Sequence, residues 1–325
     1  MTAIFALRRL GVCATVTMLA GCGVSQTPIG NAMPQISPIT DAALHRSWMI
    51  PGAARGDLLY AAGNEGAVYL FTYPGGKLVG TLSSVTPSGM CSDANGNVWI
   101  TNYDADKVVE YAHGGSTPIK TLHTRFQSPQ ACSVDPTTGN LATVGLNGIS
   151  IFAGAKRHRV RYFPPEEVVS CGYDNSGNLF FDGWVTSGYV TPGYVTPYVG
   201  LGELRKGATK VKQIALPFQL SGTGNVQWDG KYITISGSNA ETSGIFRFNI
   251  RGDRAVAKPF VELGDMQKVR ASWIQGSTVV ATTSSGTGYP NILIYKYPNG
   301  GDPIKMIGDS QAGRPFALTV SRAPK

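Results

Sequence analysis

Three cysteines and three aspartates recur together along the chain. Cys91 stands with Asp93 in CSDANGNVWIT, Cys132 with Asp135 in CSVDPTTGNLAT, and Cys171 with Asp174 in CGYDNSGNLFF. Thiols at a repeated spacing offer disulfide or redox chemistry, and repeated carboxylates offer acid-base or cation-binding chemistry. The context of each pair points first to structure. Every Asp precedes a Gly-Asn turn and an apolar pair, a setting in which its carboxylate accepts backbone N–H bonds and the glycine supplies a positive φ. Cys132 and Cys171 lie three residues before their Asp but Cys91 only two, which on a strand of period two turns Cys91 to the opposite face. Buried free thiols between packed sheets are the expected state, with one disulfide and one leftover thiol as the open alternative.

A fourth cysteine carries a different chemistry. The chain opens MTAIFALRRLGVCATVTMLAGCG, with Arg8 and Arg9 before an apolar run, Leu10 to Met18, too short to span a bilayer. The residues Leu19-Ala20-Gly21-Cys22 resemble the lipobox of bacterial lipoproteins. That resemblance implies cleavage after residue 21 and acylation of Cys22, which would anchor the chain in a membrane. Gly23 in place of Asp favours the outer membrane of the cell envelope. Cleavage removes Arg8 and Arg9 and no acid, taking the formal charge from +8 to +6, a balance that gives no argument for nucleic acid. Residues 22–50 are rich in Pro, Ser, Thr and Gly and read as a lipidated flexible tether.

The elements that must position the Cys-Asp motifs form a repeat. Gly96, Gly139 and Gly177 fall at intervals of 43 and 38 residues. Each unit continues as short alternating strands separated by Gly-rich turns, giving four antiparallel strands per unit. Degenerate copies extend the series on both sides. GDLLYAAG, AVYLFTYPGG and KLVGTL supply three strands at the start, and RPFALTVSRAP a lone strand at the end. Pairing that last strand with the first three completes a sheet from both chain ends and closes a ring of six blades without open edges. The expected fold is therefore an all-β, six-bladed β-propeller over residues 51–325. The units PSGMCSDANGNVWITNYDADKVVEY and PQACSVDPTTGNLATVGLNGISIF resemble NHL repeats, and the whole resembles the six-bladed propellers that include the senescence-marker and gluconolactonase family.

That resemblance implies, for an enzyme, a divalent metal held near the central channel by oxygen donors. The expected first strands, SGMCS, QACSV, VVSCG, NVQW, RASWI and FALTV, are nearly free of Asp, Glu and His. Asp93, Asp135 and Asp174 sit at strand ends as turn makers. His45 falls in the tether, His113 in a turn, and His123 and His158 on or beside outer strands, so no pair has ligand spacing. No G-x-S-x-G elbow is present. The basic run KRHRVR (156–161) lies on an outermost strand, where it reads as a solvated edge. No catalytic set and no cofactor are assigned; the alternative is a metal-dependent lactonase or lyase whose ligands come from loops, through Asp104, Glu166 or Asp182.

Loops between first and second strands are uniform, whereas those between second and third strands differ in every unit. The longest, GWVTSGYVTPGYVTPYVGLG (183–202), contains a duplicated GYVTP. Trp184, Tyr189, Tyr194 and Tyr198 lie along it, and Tyr103, Asp104, Asp106 and Tyr289 lie in neighbouring loops. Aromatic side chains give binding area at low entropic cost. This loop face is the expected surface for a protein, glycan or cell-wall partner.

Overall fold

The computed structural model describes residues 46–324 apart from 64–65, 84, 126, 165–166, 186–189, 192–193, 196–197, 221, 223, 240, 265–267, 284–291 and 308–314. The segment read as a signal and nearly all of that read as a tether lie outside the described residues, and Cys22 with them.

Six four-stranded antiparallel sheets follow one another as blades. Blade 2 comprises Gly89–Ser92, Val98–Asn102, Lys107–Tyr111 and Pro118–His123. Blade 3 comprises Pro129–Val134, Leu141–Gly145, Gly148–Phe152 and Arg159–Tyr162, and blade 4 Glu167–Tyr173, Leu179–Val185, Tyr198–Leu204 and Lys212–Ile214. Blade 5 comprises Val226–Trp228, Ile233–Ser238, Ser243–Arg251 and Arg254–Glu262, and blade 6 Val269–Gln275, Thr278–Thr283, Ile292–Lys296 and Lys305–Ile307. Blade 1 is built from both ends of the chain. Its inner strand is Ala317–Ser321, paired in antiparallel register from Leu58↔Ser321 to Ala62↔Ala317, and its other strands are Leu58–Ala62, Val68–Thr72 and Leu78–Leu82. The pairing expected from the two incomplete ends is the one the structure has.

A short strand, Trp48–Met49, adds a fifth strand to blade 1 through Trp48↔Thr81 and Met49↔Gly80. The last residues of the segment read as tether therefore belong to the folded body. Their contribution was hidden because two residues are too few to show a period.

Alternation along each strand sends one set of apolar side chains to the preceding blade and the other to the following one. Every seam carries its own apolar cluster. Tyr60, Leu70, Ile100 and Val109 fill the seam between blades 1 and 2, and Trp99, Cys132, Leu141 and Phe152 that between blades 2 and 3. Ala142, Val144, Tyr173 and Phe181 follow between blades 3 and 4, and Phe180, Leu201, Ile235 and Phe248 between blades 4 and 5. Ile245, Val279 and Tyr295, then Leu59, Phe71, Val280 and Ile294, close the circuit back to blade 1.

The turn motif works as its sequence suggests. Asp93 Oδ1 accepts from the N–H groups of Asn95 (2.9 Å) and Asn97 (2.8 Å), and Asp174 Oδ1 from those of Ser176 and Asn178, both at 2.8 Å. Gly96, at φ 83°, and Gly177, at φ 82°, take the left-handed conformation that closes each turn.

The cysteines depart from expectation. Cys91 and Cys132 form a disulfide with Cα atoms 5.6 Å apart, and Cys171 is free and buried. The offset of Cys91 is what permits the bond. In register, Cys132 pairs with Thr143 and Cys171 with Phe181, each four residues after its turn glycine, whereas Cys91 pairs with Trp99, three after Gly96. Cys132 thus faces back toward blade 2 while Cys91 faces forward toward blade 3, and the two meet across the seam. In blade 3 the position equivalent to Cys91 is Ser133, whose Oγ accepts from Tyr173 N (3.1 Å), so Cys171 has no thiol to meet.

The bond closes a chain separation of 41 residues, for which loop-closure entropy gives about 3–4 kcal/mol of stability. Thermal unfolding with and without reductant is expected to show that loss, with Cys91→Ser matching the reduced protein. Peptide mapping of the unreduced chain should link Cys91 to Cys132 and leave Cys171 alkylated only after unfolding. Alkylation of Cys91 and Cys132 in the unreduced, unfolded chain would contradict the assignment.

Candidate functional site

The inner strands surround a central channel, and one mouth opens on the face bearing the loops between second and third strands. All six blades contribute to this mouth, which encloses about 420 Å³. Met90, Gln130, Val169, Asn225, Arg270 and Phe316 are representative of its wall, with Tyr103 at its rim. Its polar groups are mostly amides and hydroxyls.

Several of these groups are engaged in holding neighbouring blades together. Ser88 Oγ donates to Pro129 O (2.6 Å), and Ser170 Oγ accepts from Val226 N (2.9 Å). Asn225 Oδ1 accepts from Ser272 N (2.9 Å), and Gln227 both accepts from Ile274 N (2.7 Å) and donates to Ile274 O (2.8 Å). Arg270 lies over the Phe316 ring at 5.5 Å, bringing a cation to the mouth between blades 6 and 1. The Gln130 amide donates to Glu167 Oε1 (3.2 Å), which places one carboxylate near the rim.

Of the residues expected on the loop face, Tyr103 is exposed at the rim and Asp104 is exposed beside it. Asp106 does structural duty: its carbonyl accepts from Thr124 N (2.7 Å) and its carboxylate from Ser128 N (2.7 Å), fixing the connector into blade 3. Tyr189 and Tyr289 lie outside the described residues. Trp184 and Tyr198 occupy paired strands of blade 4, through Trp184↔Val199 and Val185↔Tyr198. Within the GYVTP copies, Val190 pairs with Val195 and Thr191 with Tyr194 in a small antiparallel ladder.

Among the described residues, the carboxylates of the enzymatic alternative do not converge. Asp104 is on an exposed loop, Glu166 lies outside the described residues, and Asp182 is sealed between blades 4 and 5. Among the described residues no group of three or more His, Cys, Asp or Glu side chains is placed to share a metal.

Asp182 is nevertheless chemically unusual. It is fully buried opposite Ser170 in register, and neither carboxyl oxygen makes a hydrogen bond. Burial pushes its carboxyl well above the usual carboxylate range, against the smaller opposing pull of the Gly224 and Ser170 backbone. Burial, with Asp182 nearby, also pushes the Cys171 thiol up, so burial disfavours the charged form of both groups. The equivalent positions are Thr101 in blade 2 and Val144 in blade 3, neither ionisable.

At the opposite mouth a charged network ties blades 5 and 6. Asp229 Oδ2 takes hydrogen bonds from Arg247 Nε (2.9 Å) and Tyr297 Oη (2.6 Å), with Arg247 4.7 Å from the Tyr232 ring. Burial alone would raise the Asp229 carboxyl, but Tyr297, the Tyr232 and Lys231 N–H groups and Arg247 outweigh it and hold it below its ordinary range. The sequence read this Asp as part of a degenerate unit and gave no sign that Arg247 and Tyr297 would converge on it.

An acid raised on folding binds more protons folded than unfolded, so Asp182 weakens the fold increasingly as pH rises above about 4 toward its folded value. Asp182→Thr is expected to raise stability at pH 7 by about 1–3 kcal/mol. The gap from wild type should shrink as pH falls toward 4 in denaturant titrations. Asp229 acts in the opposite sense, its contribution being lost as pH falls below about 4. A wild-type and Asp182→Thr pair differing by the same amount at every pH would show that Asp182 does not titrate in this way.

No protein-family model matches the chain, and no curated protein matches it in sequence. Solved structures match in fold. A chain of a nidogen/laminin complex is 13% identical with a TM-score of 0.64, over 83% of this chain and 100% of that one. A protein of unknown function from Bacteroides caccae is 11% identical with a TM-score of 0.60, over 82% and 99%. The Cps50 (Swd1) β-propeller domain of Myceliophteria thermophila is 11% identical with a TM-score of 0.51, over 81% and 85%. At these identities the likeness is one of fold, and the propeller serves binding and catalysis alike.

Proposed function

We propose that the chain is an exported lipoprotein built from NHL-like units, with residues 1–21 as signal, 22–47 as lipidated tether and the propeller as a non-catalytic binding body. The observation that carries the tethered reading is the sequence Leu19-Ala20-Gly21-Cys22 after a basic and then apolar segment. Acylation of Cys22 would hold the propeller at the outer membrane of the cell envelope, with the membrane itself as its first partner. Several acyl chains give firm anchoring where one does not.

For the binding body, the supporting observation is the mouth of about 420 Å³ on the variable-loop face. Its wall carries amides, hydroxyls, aromatic rings and the Arg270 guanidinium, with Tyr103 exposed at the rim. That mixture suits a polar ligand with apolar faces, such as a glycan or a peptide segment of the cell wall. The paired GYVTP ladder and the residues Trp184, Tyr189, Tyr194, Tyr198 and Tyr289 would extend this surface outward. A metal-dependent lactonase or lyase is the lesser reading, because Asp182 is sealed away from the channel and Asp104 is exposed on a loop whose other carboxylate, Asp106, is taken up by Ser128 N.

Two measurements test this. Expressed in a bacterium with an outer membrane and fed labelled palmitate, the full chain is expected to take up label and fractionate with membranes. Cys22→Ala should lose both, and label on the variant would refute the anchor. Sedimentation with purified cell-wall material should fall at least tenfold when residues 186–199 are deleted or Tyr103 is changed to Ala. Equal sedimentation of variants and wild type would move the binding surface elsewhere.

A further inference from the structure

A second polar cluster lies in the seam between blades 2 and 3, away from the channel. Its frame is the connector from Thr124 to Ser128, which folds over the top of the Leu141–Phe152 hairpin. Gln127 is fully buried there, donating to Thr143 O (2.7 Å) and Gly148 O (2.8 Å) and accepting from Thr143 Oγ1 (2.7 Å). The two ends of the connector are held by Asp106.

Below this frame, register places Ser150 between Thr143 and Arg161 on the face turned to blade 2, with Arg159 two residues away on the same face. Arg159 Nη1 reaches across the seam to His123 O (3.3 Å), the carbonyl next to Thr124, while Arg161 Nη2 donates to Asn147 O (3.2 Å). Three buried atoms in this group have no hydrogen-bond partner: Thr124 Oγ1, Ser150 Oγ and Arg159 Nε. All three are donors.

The charges point the same way. Ion pairs among the described residues join Lys120 to Glu110, Arg205 to Glu203 and Arg247 to Asp229, and none involves Arg125, Arg159 or Arg161. Burial, followed by repulsion from Arg161 and Arg125, pulls the Arg159 guanidinium below its usual range. Each unmet buried donor destabilises the fold, and clustered like charges add to that cost. An anion with several acceptor oxygens, admitted by a local parting of the seam, is the occupant that would meet these donors and charges together.

We propose that this seam binds a phosphate group, with Thr124 Oγ1, Ser150 Oγ and the Arg159 guanidinium as donors and Arg125 and Arg161 as flanking charges. The exposed Lys156, Arg157 and His158 extend the positive field along the rim, where it draws anions inward. Exposed Phe163, its ring 4.9 Å from the Arg161 guanidinium, adds an apolar border of the kind a lipid-borne phosphate would meet. The KRHRVR segment, which on sequence grounds reads as a solvated edge, thereby gains a ligand.

The full chain is titrated, at fixed ionic strength, with inorganic phosphate against chloride, and with short-chain phosphatidylglycerol against short-chain phosphatidylcholine, reading thermal stability and intrinsic fluorescence. Saturable binding of either phosphate source, weakened at least tenfold by Arg159→Gln and by Arg125→Gln, supports the site. Response to inorganic phosphate identifies a free ion as a sufficient ligand, and response to phosphatidylglycerol alone identifies a lipid headgroup. Thr124→Ala removes one donor without touching a charge and should weaken binding several-fold, which keeps the test sound should Arg159→Gln fail to fold. Absence of saturable binding in both arms, or binding unchanged in Arg125→Gln and Thr124→Ala, overturns the proposal.

Discussion

The ladder between Leu58–Ala62 and Ala317–Ser321 is the interaction on which everything else rests. A ring of sheets has no edge only while it is closed, and here closure is made by hydrogen bonds between residues more than 250 positions apart rather than by a covalent link. Five paired residues suffice because they complete two things at once. They supply the inner strand of blade 1, and they seal the seams on either side of it, where Leu318 and Val320 meet blade 6 while Ala317 meets the blade 2 side. The Ser92 hydroxyl, donating to Val320 O (2.8 Å), ties the same strand to blade 2. The strand Trp48–Met49 then covers the outer edge of blade 1, so the sheet assembled from both chain ends is also the most heavily bordered.

A second regularity follows from packing blades around a narrow centre. Inner strands can pair on one side only, and their remaining N–H and C=O groups must find partners across the seams. Short side chains from the preceding blade supply them: Ser88, Ser133, Ser170, Asn225 and Gln227 each reach a backbone group on the next inner strand. The Cys91–Cys132 bond does the same with a covalent link. This explains why the channel is lined by small polar residues, and it also sets what the mouth can offer a ligand. Several amides are already engaged, Gln130 with Glu167 among them, leaving Tyr103 and the aromatic rim as the adaptable part.

The fold was legible because its signals are local and repeated. The Asp, Gly and Asn of each turn, the alternation of each strand and the unmatched strands at the two ends can be read without knowing any contact across space. What escaped depends on which faces meet. The offset of Cys91 turns it to the opposite face of its own strand, and opposite faces of adjacent blades are the ones that confront each other. The orphaned donors at Thr124, Ser150 and Arg159 become a cluster only when the connector held by Asp106 lies over blade 3. The network of Asp229, Arg247 and Tyr297 draws on three separated segments, none with a motif of its own. Asp182 was visible as a carboxylate within an apolar strand, but only its burial shows that its charged form is disfavoured and that it is turned away from the channel.

The dependence of the ring on its closing strand is tested most directly by removing it. The account predicts that a chain ending at residue 315 loses cooperative unfolding altogether, with fast hydrogen exchange not only in Leu58–Ala62 but also in the inner strands of blades 2 and 6. A truncated chain that keeps a single cooperative transition near that of the full protein, with exchange confined to blade 1, would contradict it.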